Sequence, residues 1–354
     1  MLMQFVARTA LLLFGQLNVR HASMSLCDPH TDLCRWADAH GVQRSVHVGP
    51  SKFGGNGLVA TKAMAARAEA LRVPLSLCLG VTRDDDYLFA TQLAMKLHNG
   101  EAEEYRRALP PPPSVLHRWH ELDLAALQNA TLASEAARWR ETRRAQYELA
   151  SQSEADASIG ESRFNDLYDI VAARTLGARG DTTDTLRLVP LVSMAQHSCT
   201  AGGQFAVRDN CFCLLSGQAC DAGGEIFLDY GSRTSDEFLL QYGFVPDRNR
   251  HDAATISLGT LAGAAVAHVD WTSVETASSD VRDACTAMLE EMPTSLATDI
   301  ELLRAAERES EAGDATSSEE YKMALRYRIA KKQLLTAVAG VPAVTAATSA
   351  FARL

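Results

Sequence analysis

The chain has 354 residues, 47 % of them hydrophobic and 22 % charged, the composition of a soluble globular protein with room for one large domain or two ordinary ones. Its formal charge of −10 and isoelectric point near 5.5 supply no basic field for a polyphosphate backbone, so no nucleic-acid partner is predicted. Eight unevenly spaced cysteines do not read as a disulfide framework and fit a reducing compartment.

The first 27 residues, MLMQFVARTALLLFGQLNVRHASMSLC, contain no Asp or Glu, carry Arg8 and Arg20, and hold a short apolar patch at LLLF. The patch falls well short of the roughly 20 apolar residues a membrane span needs, so no membrane partner is expected. Residues 1–30 read as a leader of the mitochondrial or plastid transit type. The alternatives are a disordered leader, or an overlong gene model whose proper start is Met24, with the protein then in the cytoplasm or nucleus.

Further along, Leu33, Trp36 and Ala37 fall at helical spacing and Gly41 supplies a stop, so a short helix is predicted over Asp32 to His40. SVHVG then reads as a strand, SKFGGNG as a loop, and LVATKAMAARAEALRVPLSLCL as strand, polar turn and strand. Gly54, Gly55 and Gly57 within four residues imply a backbone that needs positive φ or a close approach. As a ligand signature the loop is weak, because no helix follows and the G-x-G-x-x-G spacing is missing; a tight turn alone would explain it.

Residues 84 to 176 switch to helical periodicity in DYLFATQLAMKLHNG, LDLAALQNATLASEAARWRETRRAQYELA and FNDLYDIVAARTL, interrupted by ALPPPPS. Arg174 lies at i+4 from Ile170, on or beside the buried face, where a charged residue is either a snorkelling rim residue or an anion ligand. Strands return in RLVPLVSMAQ, QFAVRDNCFCLLS and EIFLDYG, bounded by the glycine pairs 202–203 and 223–224. Cys211 and Cys213, two apart on a strand, face the same way and read as packing residues; no CxxC is present and no metal site is predicted.

SRTSDEFLLQYG is a marked helix, with Thr234 and Glu237 spaced as a capping box and Gly243 as its stop. From about Asp280, VRDACTAMLEEM, LATDIELLRAAERES and SEEYKMALRYRIAKKQLLTAV form an all-α segment. Each of its helices is expected to bury one apolar face and keep its charges in solvent. Tyr230 ends a strand between Asp229 and Gly231, just before the capped helix, at an element junction of the kind where sites form. Taken alone, a buried tyrosine with a hydrogen-bonded hydroxyl explains it, as a satisfied structural histidine explains His197.

Together these pieces resemble the SET-domain protein methyltransferases, in the subgroup of the Rubisco large-subunit lysine methyltransferase and the actin histidine methyltransferase. The resemblance is carried by GGNGLVA, ALRVPLSLCL, AARTL, PLVSMAQHS and above all GGEIFLDYGSRTSDEFLLQYGFV. It continues through MPTSLATDIELL and ALRYRIAKKQLL, from residue 31 to about residue 340. It implies an α+β architecture: a SET β-fold of small sheets with a pseudoknot over 31–250, a helical insert at about 84–176, and an all-α, substrate-binding-like domain over 275–345.

The implied activity is transfer of a methyl group from S-adenosyl-L-methionine to the side-chain nitrogen of a lysine on a protein substrate, by a monomer without a metal. Histidine is the alternative acceptor, and a catalytically silent binding module the alternative to an enzyme. Such a transfer is an in-line displacement at a carbon beside a sulfonium, so a neutral amine must be held opposite the leaving sulfur. Carried over by motif, Gly54, Gly55, Asn56, Gln196 and His197 match backbone that cradles the cofactor, and Arg174 matches a partner of its carboxylate. Tyr230 matches the catalytic tyrosine, with Arg174 and Ser193 beside the substrate. The cysteine pair precedes Tyr230, unlike the zinc cluster that follows it in histone-type relatives. The chain departs from the family pattern at Gln196 (Asn in the family), Ser193 (acidic), and Ala173 and Leu176 (Ser and Phe), and its C-terminal segment is short.

Overall fold

The computed structural model describes residues 29–82, 88–152, 158–177, 185–260, 263–313 and 316–340. The predicted leader lies outside these but for its last two residues. Helix α1 (Pro29–Ala39) buries Leu33, Cys34 and Ala37, and Gly41 follows it with φ +83°. Strands β1 (Gln43–Arg44), β2 (Val46–Pro50), β3 (Asn56–Ala60) and β4 (Glu69–Pro74) come next; the last three follow the predicted order and β1 is additional.

Strand β5 (Leu79–Thr82) leads into the insert, made of α2 (Phe89–His98), α3 (Glu103–Ala108), α4 (Glu121–Ala126), α5 (Ala130–Ala150) and α6 (Glu161–Ala172). The proline run lies between α3 and α4, since proline has no N–H to continue a helix. Asn129 caps α5, its side-chain oxygen accepting from the Leu132 N–H at 3.0 Å. On α6 the apolar residues Phe164, Leu167, Ile170 and Val171 form a buried stripe, and the helix packs on α2. Each such side chain contributes about 1.5–3 kcal/mol by leaving water. Strands β6 (Leu176–Gly177) and β7 (Thr185–Leu188) join β5 in an antiparallel sheet of order β5-β7-β6.

Beyond β7 the chain departs from the predicted strand. RLVPLVSMAQ stops being extended at Leu188: the Val192 N–H donates to the Pro190 carbonyl at 2.8 Å across a γ-turn at Leu191 (φ 65°, ψ −51°), and Val192–Met194 form one 3-10 turn. Leu191 is fully buried, and packing holds it in a conformation that costs of order 1–3 kcal/mol for a non-glycine residue. QFAVRDNCFCLLS is likewise two strands, β8 (Gly202–Arg208) and β9 (Cys211–Leu215). They are joined by Asp209 (φ 47°) and Asn210 (φ 58°), the left-handed pair that a two-residue hairpin requires.

Strand β10 (Glu225–Leu228) completes a seven-stranded sheet of order β1-β4-β9-β8-β10-β3-β2. Its end passes between the two arms of the 196–203 loop. On one side the Leu228 N–H donates to the Gln196 carbonyl at 2.9 Å and the Ser198 N–H to the Leu228 carbonyl at 3.2 Å; on the other the Asp229 N–H donates to the Gly203 carbonyl at 2.9 Å. This threading is the predicted pseudoknot. It needs bare backbone: a Cβ on Gly203 would stand 1.9 Å from the Leu215 carbonyl oxygen, and one on Gly202 2.7 Å from the Asp229 nitrogen.

Helix α7 (Ser235–Tyr242) has the predicted capping box of Thr234 and Glu237 and ends at Gly243, φ +75°. A hairpin absent from the sequence reading follows, β11 (Ala253–Thr260) and β12 (Gly263–Asp270), then α8 (Ser273–Thr276), α9 (Ser279–Glu291), α10 (Leu296–Glu311) and α11 (Glu319–Ala339). The last three each begin on a serine cap, Ser278, Ser295 and Ser318. The expectation that charges in this segment are solvated is wrong. Asp299 is fully buried and accepts from Arg328 Nε at 3.1 Å and Lys332 Nζ at 2.6 Å, while the nearly buried Lys331 reaches Asp236 and Asp252, each at 2.7 Å. Helix α11 packs against α9, α10, α4 and the hairpin at once, which leaves little of its circumference to water.

Candidate active site

The γ-turn at Leu191 turns the chain out of the sheet, and residues 193–198 become the point where the predicted site residues meet. Tyr230, just past β10, crosses this segment twice. Its hydroxyl donates to the Ala195 carbonyl at 2.9 Å, and its backbone N–H donates to Nδ1 of His197 at 3.2 Å. A ring nitrogen that accepts carries no proton, so the His197 proton sits on Nε2, which faces Cys199 Sγ at 3.1 Å. Burial lowers the His197 pKa from its ordinary 6.5 and favours the neutral ring. His197 also bridges to Leu228 through its backbone, so it sits where the threading is tightest.

Tyr230 is half-buried in an aromatic wall: ring centroids lie 5.0 Å away at His197, 5.1 Å at Tyr242 and 6.5 Å at Phe244. Burial pushes its phenol up to about 12, with Arg174 opposing the shift. At neutral pH the hydroxyl is therefore protonated, a hydrogen-bond donor and not a base. The π faces around it favour a cation in the space they line.

Helix α6 ends at Ala172, so Arg174 lies past the helical stripe, half-buried, with Nη1 donating to the Ser193 carbonyl. A guanidinium has five N–H donors, which leaves Arg174 with spare donors for an anion. The Ser193 hydroxyl shares a hydrogen bond with the Tyr105 hydroxyl on α3, and both residues are buried. Burial pushes Tyr105 up to about 12, against the opposing effects of Ser193 and Arg174. Where the family carries an acid, this chain thus has a neutral hydroxyl held by a tyrosine from the insert.

The glycine loop reaches the site through one bond. Gln196 Nε2 donates to the Asn56 carbonyl at 2.7 Å, and the Asn56 amide meets His30 Nε2 at 3.3 Å. Gly54 (φ 89°) and Gly55 (φ 64°) are exposed at the loop tip; a Cβ on either would meet nothing within 4 Å, so the backbone conformation is what requires glycine. At Gly57 the reason is close approach, since a Cβ would stand 2.3 Å from Glu225 Oε1. Glu225 also fixes the loop by accepting the Lys52 N–H at 3.1 Å.

Arg174, Ser193, Gln196, His197 and Tyr230 therefore meet on the 193–198 segment through separate hydrogen bonds, with Asn56 attached through Gln196 and Gly54 and Gly55 standing off at the tip. Ala195, Tyr105, Tyr242 and Phe244 escaped the sequence reading. Tyr242 and Phe244 had a signal, two aromatics flanking the stop glycine of a helix that follows Tyr230; Tyr105 had none. Among the described residues no group of three His, Cys, Asp or Glu is arranged to hold a metal, and Cys213 is packed inside β9.

No protein-family model matches the chain. A segment of 77 residues is 38 % identical to actin-histidine N-methyltransferases of Mus musculus, Rattus norvegicus and Homo sapiens, 21 % of this chain and 13 % of the relative's length. Over nearly the whole chain the fold is similar to solved structures at 16 % identity. The SET domain of LSMT bound to lysine and AdoHcy has TM-score 0.67 over 89 % of this chain and 91 % of that one. Rubisco LSMT bound to AdoMet has TM-score 0.63 over 88 % and 91 %. The fold is that of a SET domain with a helical C-terminal segment, and both comparisons fall in the subgroup that the motifs resemble.

Proposed function

We propose that the chain is an S-adenosylmethionine-dependent protein methyltransferase whose acceptor is a lysine side chain of a protein partner. The observation that carries this reading is Tyr230. Its hydroxyl and ring stand in an aromatic wall, tied through Ala195 to the segment that also accepts from Arg174 and carries Gln196. The residues suit the cofactor: Arg174 has spare donors for a carboxylate, and the Asn56–Gln196 link brings the glycine loop beside it. When bound, the cofactor supplies an electrophilic methyl on a sulfonium. The chain's own part is to align the acceptor with the Tyr230 hydroxyl and the nearby carbonyls, to keep water out, and to favour positive charge with aromatic faces.

Histidine is the second reading, supported by the sequence match to actin-histidine methyltransferases. The replacements at Gln196 and Ser193 are the argument for a silent module. Against it, both replaced side chains make specific bonds, Gln196 to the glycine loop and Ser193 to Tyr105. The test is incubation of the protein with labelled cofactor and a cell extract, followed by mass spectrometry of the modified residue. Methyl-lysine supports the first reading, methyl-histidine the second, and no transfer under conditions where the cofactor binds supports the module. Import into an organelle is part of the proposal and is checked by fusing residues 1–30 to a fluorescent protein.

A further inference from the structure

A cleft of about 460 Å³ opens between α5 and α6, and none of its lining residues belongs to the candidate active site. At its base Asp169, 2 % exposed, accepts from His117 Nε2 at 3.1 Å and Arg118 Nε at 2.5 Å, and pairs with Arg143 Nη2 at 3.1 Å. Arg143 is 5 % exposed and lies over Tyr168, its guanidinium carbon 3.2 Å from the ring centroid. Its Nε and Nη1 have no hydrogen-bond partner among the described residues. At the mouth the exposed guanidinium of Arg144 also lacks a partner among them. These are donors for an anion, and buried donors left unpaired are costly.

Acceptors stand unmet in the same cleft. Asp169 can only accept, so His117 carries a proton on Nε2, and in the neutral ring its Nδ1 is an acceptor; neither Nδ1 nor Asn165 Oδ1 has a partner among the described residues. A carboxylate would answer the guanidinium groups and leave these acceptors unpaired. A phosphoryl group that keeps one proton answers both, offering oxyanions to Arg143 and Arg144 and a P–OH to His117 or Asn165. The cleft volume is within the range of small-molecule sites and exceeds a bare phosphate.

We infer that the α5–α6 cleft is a binding site for a phosphoryl group, free or as a small phosphate monoester, held by Arg143 and Arg144. The test is calorimetric titration of the full chain with inorganic phosphate, glycerol 3-phosphate and acetate at constant ionic strength, on wild type and on Arg144→Ala. Arg144 is exposed, so its replacement leaves the fold intact. One-to-one binding of a phosphate compound is expected, weakened about tenfold or more by Arg144→Ala, with acetate clearly weaker. The tighter of the two phosphates identifies free ion or monoester. A thermal midpoint raised by phosphate in wild type and less in the variant gives an independent reading. Absence of binding, equal affinity in Arg144→Ala, or acetate binding as tightly as phosphate overturns the assignment.

Discussion

The backbone N–H of Tyr230 donates to Nδ1 of His197 at 3.2 Å, so the tyrosine of the aromatic wall and the histidine of the threaded loop are fixed by one bond. That bond exists only while Nδ1 is unprotonated. His197 therefore serves the site by shape and tautomer, and its neutrality is a condition of the threaded structure.

A pH dependence follows. The His197 pKa is lowered in the folded protein by burial, while the unfolded chain keeps the ordinary value near 6.5. Below that value the unfolded state binds more protons, so the contribution to stability is complete above about pH 6.5 and is lost as pH falls toward the folded pKa. Urea unfolding of wild type and His197→Asn between pH 8 and 5 should show a steeper loss in wild type. Parallel curves would mean that His197 is not held neutral.

Removing the Tyr230 hydroxyl tests the site chemistry. Tyr230→Phe keeps the ring in its wall and deletes the donor to Ala195. Loss of the hydroxyl that aligns the acceptor nitrogen should lower turnover by roughly 10²-fold, and cofactor affinity should change little. Wild-type turnover in the variant would exclude Tyr230 from the reaction.

Gln196 acts as a strap on the glycine loop. A net hydrogen bond is worth about 1 kcal/mol, so Gln196→Ala should weaken cofactor binding roughly fivefold through loss of the Asn56 contact. Gln196→Asn, one methylene shorter, should lose the same contact. Unchanged affinity in both variants, read by calorimetry, would show that the loop needs no strap.

The sequence disclosed the helices, the capped α7, the glycine loop and the residues that meet at 193–198, because periodicity, caps and motif spacing are local signals. Three features were missed, two because they depend on distant partners and one, the hairpin, because its turn was read as part of a strand. The γ-turn at Leu191 is held by packing and not by its own residues; the Asp209–Asn210 hairpin was hidden inside one apolar-rich run; and the Tyr105–Ser193 pair joins residues 88 apart. The buried charges of α11 failed for the same reason, since an amphipathic pattern reports one neighbour and α11 has several.

Those charges give a stability prediction. Asp299 is the anion between Arg328 and Lys332, and removing one member of a buried ionic group strands the rest. Asp299→Ala should lower unfolding stability by about 3–5 kcal/mol in urea. Adding Arg328→Met and Lys332→Met should recover much of the loss. A single-variant loss below about 1 kcal/mol would mean the group is solvated after all.

The central claim is that the group built on Tyr230, Arg174 and Gln196 is a cofactor-dependent methyl-transfer site. Its most direct test is calorimetric titration of S-adenosylmethionine into wild type and Arg174→Ala. The prediction is one-to-one binding by wild type, weakened at least about tenfold when the guanidinium is removed, the scale of a hydrogen bond to a charged group. No binding by folded wild-type protein, or equal binding by Arg174→Ala, would contradict it.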